Sequence, residues 1–127
     1  MKLEFFQDGL DDGPLILLYG GGAEEVTLLR RALRTLSNRV GGRVALHELP
    51  FVESVHNFRL HAFSARNDAG LVATITLGEF EWTLEPESWL QVEELLAPFC
   101  GERSEPAFQH LNPASGPEVI YSTDRAW

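Results

Sequence analysis

The chain has 127 residues, 44% of them hydrophobic and 23% charged, and a net charge of −9 from 19 acidic and 10 basic residues. Length and composition predict one globular domain, 1–127, able to bury roughly two thirds of its unfolded surface without disulfides or metal. The charge argues against nucleic-acid or anionic-membrane partners, which need a basic surface. One cysteine, Cys100, excludes an intrachain disulfide and any zinc site built on several cysteines.

The first residues, MKLEFFQDGLDD, hold no apolar run of signal-peptide length, and no segment approaches the ~20 apolar residues of a membrane span. The expectation is a cytoplasmic protein with no membrane partner. Residues 2–6 and 14–19 read as strands joined by a turn-rich QDGLDDG. The second, PLILLY, is continuously apolar, the pattern of a central strand covered on both faces.

Gly20-Gly21-Gly22 ends that strand, and a helix is predicted over about 23–38. Val26, Leu29, Leu33 and Leu36 recur at helical spacing. Glu24 and Glu25 suit its start and the arginines 30, 31, 34 and 39 its end, as the helix dipole favours. Residues 43–49 read as a strand ended by Pro50, and 58–65 as another.

Residues 71–84 (LVATITL-GE-FEWTL) come into register as a hairpin turning at Gly78-Glu79. Leu77 then faces Phe80, Ile75 faces Trp82 and Ala73 faces Leu84, with Thr and Glu on the other side. With 58–65 this makes an antiparallel meander of three strands, 58–84. A second amphipathic helix follows over about 87–99, with Trp89, Val92, Leu96 and Phe99 as its stripe and a capping box at Ser88 and Gln91. Residues 101–117 read as a loop with a short strand at 108–111, and 118–122 as the final strand. The predicted class is α+β: a mostly antiparallel sheet with both helices packed on one face.

Sites for chemistry are sparse. The Gly20, Gly21 and Gly22 loop lies between strand and helix, where anions bind helix amides. Its spacing is neither GxGxxG nor GxxxxGK[ST], and Glu24 and Glu25 oppose a phosphate. It stands as a weak anion-binding candidate whose simpler reading is a tight turn. His47 and His61 fall on strands able to be neighbours, with Glu48 or Glu53 in reach, but no metal-ligand motif appears. Cys100 and His110 could pair as nucleophile and base, but a helix C-terminus disfavours the thiolate. Paired carboxylates (Asp11-Asp12, Glu79 with Glu81, Glu93-Glu94) fall on turns and solvent faces, not in a cleft. No cofactor and no metal are expected.

The charge asymmetry is the better clue. No Lys or Arg lies between Arg66 and Arg103, while eight acids do. Glu79, Glu81, Glu85, Glu87 and Glu94 are the candidate partner-binding residues. A concentrated negative field steers a basic partner. The leading expectation is a non-enzymatic domain docking a basic protein, by compositional analogy with bacterial immunity proteins and other small acidic inhibitors. The alternatives are a small-molecule enzyme or ligand-binding domain with a pocket near Gly20–Gly22, and a self-associating domain whose open sheet pairs into a homodimer.

Overall fold

A computed structural model of the chain describes residues 1–10, 13–102 and 105–127, with backbone alone at 9 and 10. Asp11 and Asp12 therefore lie outside the described residues. The fold is α+β, with two α-helices and nine strands in two mixed sheets among the described residues.

The first sheet has the order β4-β1-β2-β9-β8. Its strands are β1 (Lys2–Leu10), β2 (Gly13–Tyr19), β4 (Glu53–Ser54), β8 (Phe108–His110) and β9 (Glu118–Ser122). β2 is central, antiparallel to β1 and parallel to β9. Leu15, Ile16, Leu17 and Leu18 are all buried, so the apolar run of this strand is covered on both faces. The second sheet runs β3-β5-β7-β6, with β3 (Arg43–Ala45), β5 (Arg59–Ser64), β6 (Gly70–Ala73) and β7 (Glu79–Leu84).

The helices are α1 (Gly22–Leu36) and α2 (Pro86–Leu95), the latter prolonged by a 3₁₀ turn over Ala97–Cys100. They share one core with an inner face of each sheet. Val26, Leu29 and Leu33 of α1 and Trp89 and Val92 of α2 meet Ile16 and Val119 of the first sheet and Leu60, Trp82 and Leu84 of the second. Trp82 and Trp89 meet edge to face at 4.7 Å, which seats α2 on the Trp82 side of the second sheet. Among the described residues no helix is long and apolar enough to cross a membrane.

Three expectations are corrected. The helices do not lie on one mostly antiparallel sheet: there are two sheets, and both mix parallel with antiparallel pairs. The strands of 58–84 are neighbours, but not in chain order. β5 lies directly beside β7, parallel, from Arg59↔Glu79 to Ser64↔Leu84, and β6 lies outside them. β5 and β7 each bury an alternating apolar row, whereas β6 buries only Gly70 and Leu71 and takes the edge.

The hairpin also turns differently. Gly78 does take the left-handed conformation, at φ +78, but Leu71 faces Trp82 and Ala73 faces Phe80. The register is slipped by four residues along β6, an even number that preserves which side faces inward. The loop is longer because Thr74 competes with the ladder. Its hydroxyl accepts from the Thr76 amide at 3.1 Å and donates to Glu79 Oε1 at 2.8 Å. Ile75 and Leu77, expected inside, are fully exposed at the tip.

Candidate functional site

The five candidate carboxylates are held by β7 and α2, and they do not share one surface. Glu79 opens β7 beside Gly78. Its Oε2 is 3.3 Å from His61 Nε2 and 3.8 Å from the Arg59 guanidinium. The Thr74 hydrogen bond, then those from His61 and the Arg59 charge, hold its carboxyl below the usual range against some desolvation. This acid is matched within its own sheet rather than offered at an open turn.

Glu81 is exposed on the outer face, flanked by His61 of β5 and Val72 of β6. Side chains alternate along a strand, so Glu81 points away from Trp82 and from the helix packed on it. Glu85 is half-buried at the N-cap of α2, and Glu87 is exposed in its first turn. Glu94 is exposed two turns on, about 10 Å along the axis. The second sheet thus lies between Glu81 and Glu94, and Glu85 and Glu87 occupy the end where strand becomes helix.

Asp68 organises that end. Its Oδ1 accepts from the Glu85 amide at 2.8 Å and its Oδ2 from the Ser88 hydroxyl at 2.8 Å. Ser88 is a donor to a residue from another strand's connection, not the N-cap of a capping box with Gln91. The helix begins at Pro86, three residues too early for that box. Asp68 caps the helix from outside its own sequence, which is why local spacing did not reveal it.

The glycine loop makes a tight left-handed entry to α1, with φ of +75, +84 and +64 at Gly20, Gly21 and Gly22. A Cβ on Gly21 would lie 2.7 Å from Glu25 Oε1, so the chain's own carboxylate leans over the turn. A cleft of ≈ 550 Å³ does open beside the loop, between Gly22, Ala23 and Tyr121 on one side and Glu102 and Glu105 on the other. Its charged lining is acidic, which opposes an anion there. Tyr121 donates to the Gly20 carbonyl at 2.9 Å, and burial pushes its phenol up to about 12.

The histidine pair does assemble. His47 and His61 meet edge to face at 4.8 Å, and the Leu60 amide donates to His47 Nδ1 at 3.1 Å. Glu48, one of the two expected partners, lies 3.9 Å from His47 Nε2, Glu79 joins the cluster through His61, and Glu53 pairs with Lys2 instead. Among the described residues no group of three or more His, Cys, Asp or Glu could hold a metal ion. Cys100 and His110 are not paired: the Cys100 thiol lies 3.5 Å from Arg30 Nη1, and His110 pairs with Glu118 at 3.3 Å.

Compared with protein-family models, curated proteins and solved structures, this chain matches none.

Among the ion pairs that sequence spacing does not reveal, two are centred on Glu93 and on Glu4. Glu93, buried, meets Arg30 at 2.9 Å and Arg34 at 3.7 Å across the helix interface. Its other oxygen, Oε2, is buried with no hydrogen-bond partner among the described residues. A signal was present: Glu93 is four residues after Trp89, which puts it on the inward stripe. The second pair joins Glu4 to Arg125, and no sequence spacing links residues so far apart.

Proposed function

We propose that the protein is a non-enzymatic binding domain that docks a basic protein partner through Glu81, Glu85, Glu87 and Glu94. One observation carries the reading. Among the described residues none of these four is in an ion pair, whereas Glu4, Glu79 and Glu93 are each matched by an arginine. An unmatched carboxylate keeps its field in solvent, where it raises the rate of encounter with a positive surface. Glu79 drops out of the contact set, since its charge is answered by Arg59 and His61. The partner bridges the β7–α2 corner, with Glu85 and Glu87 central and Glu81 and Glu94 to either side.

The test starts from a partner captured on immobilised protein and purified. Its association rate is compared at low and high salt with the unsubstituted protein and with a variant carrying Glu81→Lys, Glu85→Lys, Glu87→Lys and Glu94→Lys. The reading expects the variant's rate to fall by about tenfold or more at low salt and to lose its salt dependence. Equal rates for the two proteins would end it.

A further inference from the structure

The segment after β9 turns back over the outer face of the first sheet, away from the β7–α2 corner. There Arg125 adopts φ +72, a left-handed conformation that non-glycine residues enter uncommonly and that marks a position held by its surroundings. Its guanidinium bonds both oxygens of Glu4, Nε to Oε1 at 3.3 Å and Nη2 to Oε2 at 3.2 Å. The same group lies 5.2 Å from the centre of the Phe6 ring and 6.0 Å from that of Tyr19. The Tyr19 hydroxyl donates to Glu4 Oε1 at 2.9 Å and fixes the carboxylate. These are the elements of guanidinium recognition: a carboxylate presented side-on, with aromatic faces beside it.

The two halves of this contact are unlike. Glu4 and Phe6 stand two residues apart on β1, and Tyr19 stands on the paired strand β2, so all three share one face of a rigid sheet. The Glu4 side chain is only 13% exposed. Arg125, by contrast, comes from a loop, and its side chain is 54% exposed. The receptor belongs to the body of the fold, and the ligand lies on top of it. Of the neighbouring cations, Lys2 is paired with Glu53 at 3.0 Å, and His56 also faces Glu4.

We propose that Glu4, Phe6 and Tyr19 form a binding site for an arginine side chain, filled here by the chain's own Arg125, and that in trans the site takes an exposed arginine of a partner polypeptide. The site lies on the opposite sheet from the acidic corner and stands independently of it. Arginine is selected over lysine, because an ammonium cannot make the two-pronged contact or lie flat against the rings. Arg125 acts as a built-in competitor that weakens binding until it is displaced.

The experiment titrates Nα-acetyl-arginine amide and Nα-acetyl-lysine amide into the unsubstituted protein, Arg125→Ala, and Arg125→Ala with Glu4→Gln. Binding is followed by NMR shifts of the Tyr19 and Phe6 rings. The expected result is at least tenfold tighter binding of the arginine probe by Arg125→Ala than by the unsubstituted protein, a preference for it over the lysine probe, and loss of binding with Glu4→Gln. No gain in Arg125→Ala, equal binding of the two probes, or binding that survives Glu4→Gln would overturn the proposal. Should Arg125→Ala fail to fold, Arg125→Lys keeps the segment charged while freeing the two-pronged site, and the same readings decide.

Discussion

The two sheets treat water differently. In the first, β2 buries four residues in succession, with Ile16 and Leu18 in the main core and Leu15 and Leu17 in a second cluster with Ile120. In the second, β5 and β7 turn alternate residues inward, and the intervening side chains, Arg59, His61 and Phe63 of β5 and Glu79, Glu81 and Thr83 of β7, form a mostly polar, partly exposed face. The cover over the first sheet comes from Phe6, Tyr19 and the segment after β9, where Trp127 packs on Phe6 at 5.2 Å. A strand's apolar rhythm therefore reports how many of its faces are closed, and here both rhythms are legible side by side.

The sharpest way to break this contrast is to remove a side chain from the outer face of each sheet. Leu17→Ala should destabilise the fold by about 2–4 kcal/mol, as a core truncation does. Val72→Ala, on the outer face of the second sheet, should stay within about 0.5 kcal/mol. Denaturant unfolding measures both, and similar losses would show that the first sheet is no more closed than the second. A smaller effect belongs to the joint between sheet and helix. Asp68→Ala leaves the Glu85 amide without its partner, so a loss of about 1 kcal/mol is expected, as for a deleted N-cap. Amide exchange at the start of α2 should rise with it, and unchanged exchange would mean that Asp68 is not the cap.

The smallest effect is at the hairpin tip. Ile75→Thr with Leu77→Thr should shift stability by no more than about 0.5 kcal/mol, since both side chains are already in water. A larger loss would restore the register in which those residues face Trp82 and Phe80. That register was the natural reading of the alternating sequence. It failed because Thr74, whose hydroxyl can satisfy backbone groups locally, closes the loop before the ladder reaches Gly78.

Of the candidate acidic site, the sequence reveals the supply of carboxylates but not their matching. Glu79 lies near Arg59 only because β5 and β7 are parallel neighbours. Glu93 and Glu94 are adjacent in the chain, yet one is buried against Arg30 and the other faces water. A helix turns by about 100° per residue, so the pair could be separated only by knowing which stripe faces inward. Glu4 and Arg125 meet only because the segment after β9 folds back across β1 and β2.

Hydrophobic periodicity along the chain by itself determined the α+β class, the position of α1, the doubly covered β2 and the inward row of β7. These are local properties, set by the 3.6- and 2-residue repeats of helix and strand. Only the tertiary structure decided that there are two sheets, that β7 sits between β5 and β6, and which charge answers which. Those depend on contacts between distant residues, where many pairings bury similar apolar area and the choice among them rests on how the whole core closes.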